Sequence, residues 1–237
     1  MPKSKVLIVT TSHAELRKTG RRTGVWLEEL AAPYYALREA GAKVTVASIK
    51  GGEIPFDPRS VGEEQSELPV PEISRRFLDD LNAMAVAKHN RSIDEVDAAS
   101  FGAIYLPGGH GAMWDMPNSA TLARMVASLF DAGKIVSAVC HGPAGLVSAK
   151  RGDGRPLVDG ERVNSFTNSE EKALRLTDIV PFLLETRLRE LGSRFEGGPD
   201  WQPFAVRDGK LITGQNPMSA ELLAWRVIEA PEMQVVA

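Results

Sequence analysis

The chain has 237 residues, of which 43% are hydrophobic and 25% charged, a composition typical of a globular protein with one large core. A net charge of −3 without a basic run argues against binding to nucleic acid or to an anionic membrane surface, and favours a small polar metabolite as partner. The single cysteine excludes an internal disulfide and predicts a reducing, cytoplasmic location, and no early apolar run has the length of a membrane span or signal peptide.

Strands and helices are predicted to alternate through the first half of the chain. Apolar, β-branched residues favour a strand at 5–11, and helical periodicity follows until Gly41. The further elements in this half are a strand at 43–49, a strand at 101–107, a helix at 121–132 and a strand at 135–139. Such alternation predicts a parallel sheet, whose ligands bind beyond the carboxyl ends of its strands.

Two segments interrupt this alternation. Residues 51–99 are rich in Pro, Gly and acidic residues and contain a helical stretch around 73–88, a pattern typical of a lid or a self-association surface. Residues 151–168 predict a hairpin with turns at Gly154 and Asp159-Gly160. The remaining predicted elements are a helix at 178–191, a short strand at 211–213 and a terminal helix from Asn216-Pro217. Without a repeat or linker, the chain is expected to form one domain, 1–237, with these two insertions.

Cys140 stands where an apolar strand meets His141-Gly142-Pro143. This pattern predicts a nucleophile elbow, a sharp strand-to-helix turn that lifts one side chain above the sheet edge. A helix N-terminus at this point is expected to stabilise a thiolate. The alternative is a buried, inert cysteine, because free cysteine is among the most buried residue types. The adjacent histidine, glycine and proline favour the nucleophile.

A thiolate nucleophile needs a base and donors for the developing oxyanion. The four histidines are at positions 13, 89, 110 and 141. His141 follows the cysteine directly, and His110, on the turn Gly108–Gly111, competes with it for the role of base. That turn lacks the spacing of a phosphate loop or a dinucleotide site, and its amides together with that of His141 could instead form an oxyanion hole. His13 and His89 are expected in solvated positions.

Three glutamates are candidates for proton transfer or for orienting a histidine. Glu29 lies at the edge of the buried stripe of the first predicted helix, where partial desolvation would raise its pKa, although a solvated helix glutamate is the alternative. Glu170 and Glu171 could supply an acid or simply cap a helix N-terminus, and spacing does not decide which faces a histidine. No cluster has zinc-ligand spacing, so we expect neither a metal nor a cofactor.

Six stretches together resemble a known family: 29–33, 47–52, 107–111, 138–143, 166–171 and 213–217. The chain resembles the ThiJ/PfpI superfamily, related to class I glutamine amidotransferases, and most closely its heat-shock, glyoxalase III branch. The resemblance implies an α/β, flavodoxin-like three-layer sandwich with a mostly parallel central sheet and insertions that form a cap. A homodimer is also expected.

The resemblance further implies a triad of Cys140, His141 and an acid, for which alignment from Phe166 favours Glu171 over Glu170. Glu29 would be hydrogen-bonded to the thiol, and the oxyanion donors would be the amides of Gly109 and His141. We expect His110 and Trp114 to contribute to the substrate site. Met113 and Trp201 are also expected to shape the pocket walls.

The leading functional hypothesis is cofactor-independent conversion of methylglyoxal, or a related 2-oxoaldehyde, to a 2-hydroxy acid through a Cys140 hemithioacetal, as part of a stress response. A cysteine peptidase or amidase and a protein deglycase are enzymatic alternatives, because an elbow also serves acyl transfer. A holdase chaperone is the alternative without catalysis and would need an exposed apolar surface, for which residues 51–99 are the candidate. A glutaminase is disfavoured because no histidine follows His141.

Overall fold

The computed structural model describes residues 4–17, 19–64 and 69–234. Its strands, numbered in chain order, are β1 Lys5–Thr10, β2 Glu15–Leu16, β3 Arg21–Arg22, β4 Lys43–Ser48, β5 Arg91–Ser92, β6 Ala103–Leu106, β7 Ile135–Val139, β8 Arg162–Val163, β9 Arg194–Phe195, β10 Ala205–Asp208 and β11 Leu211–Gly214. Its α-helices are α1 Leu27–Glu39, α2 Glu72–Asp79, α3 Leu81–Lys88, α4 Ala112–Asp115, α5 Ala120–Asp131, α6 Asn168–Ala173, α7 Leu184–Glu190, α8 Ala220–Ile228 and α9 Pro231–Gln234. None of the described helices is long and apolar enough to cross a membrane.

Seven strands form the central sheet in the order β10-β11-β7-β6-β1-β4-β5. All neighbours are parallel except β10 and β11. Side chains of β1 alternate between two cores: Leu7 and Val9 pack with α4 and α5, whereas Val6 and Ile8 pack with α1 and α8. The sheet is therefore the middle of three layers, which confirms the predicted α/β sandwich with a mostly parallel sheet.

The first helix begins at Leu27, three residues later than the sequence predicts from Gly24. The preceding residues are extended because the Val25 N–H donates to the carbonyl of Pro55 at 2.8 Å. A Cβ on Gly24 would lie 2.0 Å from that same carbonyl oxygen, so only glycine permits this close approach. This packing connects the start of α1 to residues 51–99.

The single helical stretch predicted around 73–88 is two helices. Asp80 adopts an extended conformation between α2 and α3, and its carboxylate accepts hydrogen bonds from the amides of Asn82 and Ala83. Phe77 of α2 packs edge-on against Tyr34 of α1 at 5.4 Å. Residues 51–99 therefore cover α1, and β5 extends the sheet at its edge.

The hairpin predicted within 151–168 is present only in part, as an antiparallel bridge between Lys150 and Pro156 around the turn at Gly154. Strand β8 instead pairs in parallel with β9, far along the chain. The Arg151 guanidinium donates to the carbonyls of Leu157 and Asp159, which holds this segment as a compact loop.

Two helix starts are later than predicted. Helix α7 begins at Leu184 rather than 178 because Pro181 lacks an amide N–H and disfavours a helical conformation at the preceding residue. The terminal helix α8 begins at Ala220, after a 3-10 turn at Pro217–Ser219.

Candidate active site

Cys140 lies at the carboxyl end of β7 in the left-handed region, with φ of 58°. This backbone conformation costs energy in a residue other than glycine and persists only where the surroundings enforce it. The Cys140 N–H donates to the carbonyl of Gly214 at 2.9 Å, and the Phe166 N–H donates to the Cys140 carbonyl at 2.8 Å. The geometry is that of a nucleophile elbow.

Two glycines bring the turn after β6 against this elbow. A Cβ on Gly108 would lie 2.5 Å from the amide nitrogen of His141, and one on Gly142 would lie 2.0 Å from the carbonyl oxygen of Leu106. Neither position has room for a side chain. Gly109 and His110 consequently lie beside Cys140.

The surroundings of Cys140 disfavour the thiolate that the sequence predicts. The segment after it is a short 3-10 helix, Gly142–Leu146, rather than the start of an α-helix. Burial raises the pKa of Cys140 well above its usual value, and the charge and hydrogen bond of Glu29 raise it further. The hydrogen bond from the Gly109 amide lowers the pKa of Cys140, but its effect is smaller than those of burial and of Glu29.

One carboxylate bonds both candidate histidines. Glu171 Oε2 lies 2.8 Å from His141 Nε2, and Glu171 Oε1 lies 2.9 Å from His110 Nε2. The two imidazole rings are 4.1 Å apart between centroids. The Sγ of Cys140 lies 3.3 Å from the Nδ1 of His141. The structure thus brings together Cys140, His141, His110 and Glu171.

The protonation state of His141 follows from these contacts. Burial acts to raise the pKa of Glu171, but the two histidines outweigh it and hold that pKa well below its usual range. As a carboxylate, Glu171 accepts the Nε2–H of His141. Burial and the neighbouring His110 lower the pKa of His141, so the ring is neutral and its Nδ1 is free of a proton. That nitrogen can accept the thiol proton of Cys140.

Glu29 also lies near the thiol and is fully buried, whereas Glu28 beside it is partly exposed. Its Oε2 accepts the amide of Gly108 at 2.7 Å. Burial raises the pKa of Glu29 well above its usual value, while the bonds from Gly108 and Cys140 lower it less strongly. Since the pKa values of both Glu29 and Cys140 are raised, the pair retains a proton at neutral pH.

Glu170, one residue from Glu171, points into a different network. Its Oε1 accepts hydrogen bonds from Asn216 Nδ2 at 2.8 Å and from the backbone N–H of Trp201 at 2.9 Å. Its Oε2 accepts the Thr167 amide at 3.0 Å, which completes a capping box. Of the two candidate acids, the histidines therefore face only Glu171.

A cavity of about 560 Å³ opens above the thiol. It is lined by the predicted Gly109, His110, Cys140 and His141, and by Trp201, which is expected at its walls. The other lining residues are not predicted as site residues from the sequence: Arg21, Trp26, Arg59, Phe166, Ala173, Leu174, Arg175 and Pro217. The arginines come from a hairpin, a 3-10 turn and a helix end that are distant in sequence, so no local pattern indicated them.

Trp114 does not line this cavity, which corrects its predicted role in the substrate site. It is 9% exposed and belongs to the core under α4 and α5, as does Met113. Its ring stacks on His13 at 5.2 Å. Because α4 begins directly after the glycine turn, these side chains point away from the cavity. His13 is partly exposed and His89 exposed, as expected for solvated positions.

His110, His141 and Glu171 also have the side-chain types of a metal site. Their ligand atoms lie within 4.8 Å of one another. In this arrangement the Nε2 atoms of both rings face the Glu171 oxygens as hydrogen-bond donors. A metal at this point would require both rings to change tautomer, so the contacts fit a proton-transfer site better than a metal site.

Comparisons with known proteins match this architecture. A family model described as DJ-1/PfpI family matches residues 22–230. Glyoxalase 3 of Candida albicans is 31% identical over 96% of this chain and 98% of its own, and its crystal structure superposes with a TM-score of 0.85. Glutathione-independent glyoxalase HSP31 of Saccharomyces cerevisiae is 30% identical over 97% of this chain and 99% of its own. Rapid Encystment Protein 24 KDa of Francisella tularensis is 37% identical, covers 96% of this chain and 98% of its own, and has a TM-score of 0.89.

Proposed function

The chain belongs to the DJ-1/PfpI family, and on that premise we propose that it is a glutathione-independent glyoxalase that converts methylglyoxal or a related 2-oxoaldehyde to a 2-hydroxy acid. One observation supports this most directly: the Cys140 thiol lies beside both a neutral imidazole and a buried carboxyl. His141 Nδ1 lies 3.3 Å from the sulfur, and the buried carboxyl of Glu29 interacts with the same thiol. A hydrolase with a cysteine nucleophile does not require a carboxyl such as that of Glu29 beside the thiol.

In the first step the thiol proton moves to His141 Nδ1 while the sulfur attacks the aldehyde carbon, C1. A carbon–sulfur bond forms, and the carbonyl electron pair moves to oxygen. We assign the oxyanion donors to the amides of His141, which has no acceptor among the described residues, and of Gly109, which interacts with the sulfur. Protonation of the oxyanion gives a hemithioacetal, and Glu171 stabilises the charge on His141.

In the second step Glu29 removes the proton from C1, and the electron pair forms an enediol. Return of that proton to C2 gives a thioester of the 2-hydroxy acid. Oxidation at C1 is balanced by reduction at C2, so the step needs no external oxidant. A carboxyl with a raised pKa suits both removal and return of the proton. Attack of water on the thioester then releases the hydroxy acid and regenerates the thiol.

The test is direct. Purified protein is incubated with methylglyoxal in the absence of any thiol cofactor, and lactate is measured for the wild type and for Cys140→Ala. We expect lactate to form only with the wild type. The melting temperatures of both proteins show that the variant is folded. Absence of cysteine-dependent lactate from a folded wild-type protein would overturn the proposal.

We further propose that residues 51–99 and 151–168 act as a cap on a single domain and that the protein is a cytoplasmic homodimer of a stress response. The cap is supported by Arg59 and Phe166, one from each segment, which line the cavity.

The single cysteine supports a reducing compartment. Sedimentation analysis of the purified protein tests the dimer, since a purely monomeric species would contradict it.

A further inference from the structure

Three arginine side chains line the cavity above Cys140, and no acidic side chain is among its described lining residues. They are Arg21 on β3, Arg59 on a 3-10 turn and Arg175 directly beyond α6. The chain as a whole carries a net charge of −3, so the positive charge at this opening is a local feature. Guanidinium groups that converge on a cavity favour anionic ligands.

Arg59 is held in place by an acid outside the cavity. Its Nε and Nη2 donate to the two carboxylate oxygens of Asp57 at 2.9 and 3.0 Å. Although burial acts to raise it, the pKa of Asp57 is lowered by the hydrogen bonds and charge of Arg59. This pair is nearly neutral overall, and the guanidinium keeps donors beyond the two that Asp57 uses. Arg59 therefore offers directed hydrogen bonds more than net charge.

Arg21 and Arg175 supply the uncompensated charge. Both are exposed, and neither side chain has an ion-pair partner within the described segments. Their backbones are nevertheless fixed: Arg175 is left-handed with φ of 57° and donates its N–H to the Lys172 carbonyl at 3.0 Å. Arg21 follows a turn closed by the Thr19 N–H bond to the carbonyl of Leu16. The two charges are consequently presented at the opening by ordered backbone.

The cavity is also larger than the smallest substrate requires. At about 560 Å³ it lies within the range of sites for drug-sized ligands. Methylglyoxal has a three-carbon skeleton and no charge, so it would leave most of this volume empty and contact none of the arginines through an ionic group. Methylglyoxal therefore makes no use of the positive charge of these arginines.

We propose that the preferred substrates are 2-oxoaldehydes that carry a carboxylate or phosphate at the end remote from the aldehyde, and that Arg21 and Arg175 bind this anionic group with Arg59. This inference rests on the proposed function and specifies its substrate class. The aldehyde reacts with Cys140, while the anionic end reaches the arginines at the opening. Arg21, Arg59 and Arg175 are thus specificity-determining residues.

The experiment compares kcat/KM for three matched substrates: a 2-oxoaldehyde whose chain ends in a carboxylate, its neutral methyl ester, and the same chain ending in a phosphate. We expect the wild type to prefer the anionic substrates to the ester by roughly tenfold, as one or two charge-assisted hydrogen bonds provide. The phosphate and carboxylate arms identify which anion is preferred. The double variant Arg21→Gln/Arg175→Gln should lose this preference, with its own kcat/KM for the ester as the internal reference.

Arg22→Gln is the matched control, because Arg22 neighbours Arg21 on β3 but pairs with Glu63 outside this cavity. It should retain the preference, and added salt should reduce the preference only in proteins that retain Arg21 and Arg175. Equal kcat/KM values for carboxylate and ester, or an unchanged preference in the double variant, would overturn the inference.

A binding experiment distinguishes failure of this inference from failure of the proposed function. It uses the Cys140→Ser variant, in which the ligand binds without having to react. Quenching of the fluorescence of Trp26 and Trp201 reports binding of a 2-hydroxy acid with a second carboxylate, compared with lactate. Tighter binding of the dianion that disappears in the double variant supports the inference even if no 2-oxoaldehyde is turned over. Equal binding of the two acids contradicts it.

Discussion

Cys140 and Glu29 are both buried, which raises the pKa of each, and the charge of Glu29 raises the pKa of the thiol further. The pKa of both groups is raised, and the thiol is 3% exposed. Nucleophilic attack therefore requires the proton to leave as the bond to substrate forms, and His141 Nδ1 is the nearest neutral acceptor.

Glu29→Gln tests the role of this carboxyl in proton transfer. Glutamine keeps an oxygen that can accept the Gly108 amide, but it cannot take a proton from C1. We expect kcat for lactate formation to fall by roughly 10²- to 10⁴-fold, with a much smaller change in KM. Glu39→Gln, on the exposed face of the same helix, is the control and should match the wild type. A wild-type kcat in Glu29→Gln would exclude the carboxyl as the proton carrier.

Alkylation of Cys140 by iodoacetamide at different pH values measures the thiol directly. Because the pKa of Cys140 is raised, the rate in the wild type should still increase with pH above the ordinary pKa of a cysteine. Glu29→Gln removes the charge that helps to raise this pKa, so its alkylation curve should move to lower pH. Mass spectrometry of the single cysteine gives the rate. A wild-type curve that levels off near neutrality would contradict the resting thiol.

Single residues account for what the sequence predicts of the site. Cys140 lies within hydrogen-bonding reach of His141, and His141 within reach of Glu171, as the family resemblance implies. His110, considered as a rival base, instead shares Glu171 with His141, because the glycine turn brings β6 and β7 closer than spacing reveals. The sequence does not predict the raised pKa of Cys140, since it shows neither the burial of a side chain nor the charge beside it.

At the level of elements, the short helix α6 carries two glutamates whose side chains make different contacts. Glu171 bonds the histidines, and Glu170 bonds the backbone near the cavity wall. The capping box of α6 turns Glu170 towards Trp201, whose backbone is left-handed with φ of 60°, while Glu171 faces the histidines. The ring of Trp201 packs on Phe166 at 5.6 Å, and that of Phe166 on His141 at 4.5 Å. One helix start thereby fixes both the triad and the cavity wall.

Glu170→Ala should weaken that wall without removing a reacting group. It removes the acceptor of the Trp201 N–H and one of the acceptors of Gln215 and Asn216, for which we expect a loss of about 1–3 kcal/mol in the free energy of unfolding. KM should rise more than kcat falls, because the triad stays assembled. Denaturant unfolding and steady-state kinetics measure the two effects. Glu185→Ala at the start of α7 is a comparison that also loses a backbone cap, that of Asn168, away from the cavity. Unchanged stability and KM in Glu170→Ala would show that Trp201 is positioned by other contacts.

Some elements have the bounds that the local sequence predicts, and others depend on contacts with distant residues. Strand β7 has the predicted bounds because its five residues are all buried, so its apolar run is uninterrupted. The segment 151–168 differs because Arg151 bonds carbonyls six and eight residues away, and β8 pairs with a strand far along the chain. The sequence does not predict the three arginines of the cavity for the same reason, since they are far apart along the chain and only the fold brings them together.

For the whole molecule, the sheet gathers the active site at the carboxyl ends of β6, β7 and β11. The turn after β6 carries Gly108, whose N–H bonds Glu29 of α1. The elbow after β7 carries Cys140, whose N–H bonds the end of β11. Residues from four distant parts of the chain therefore keep their relative positions only if these strand ends stay in backbone contact.

Gly108→Ala tests this dependence on strand-end packing. The added Cβ would lie 2.5 Å from the His141 nitrogen and 2.7 Å from the Val139 carbonyl oxygen, so the backbone of the turn must move. We expect a loss of about 1–3 kcal/mol in stability, as for other overpacked sites, and a much larger proportional loss of cysteine-dependent lactate, because the amides and Glu29 move with the turn. Gly152→Ala is the control: its Cβ would meet only the Asp131 carboxylate, at 3.4 Å, on an exposed loop. If Gly108→Ala matched Gly152→Ala in unfolding midpoint and kcat/KM, the strand ends would tolerate displacement and the geometry of the site would depend on side-chain contacts alone.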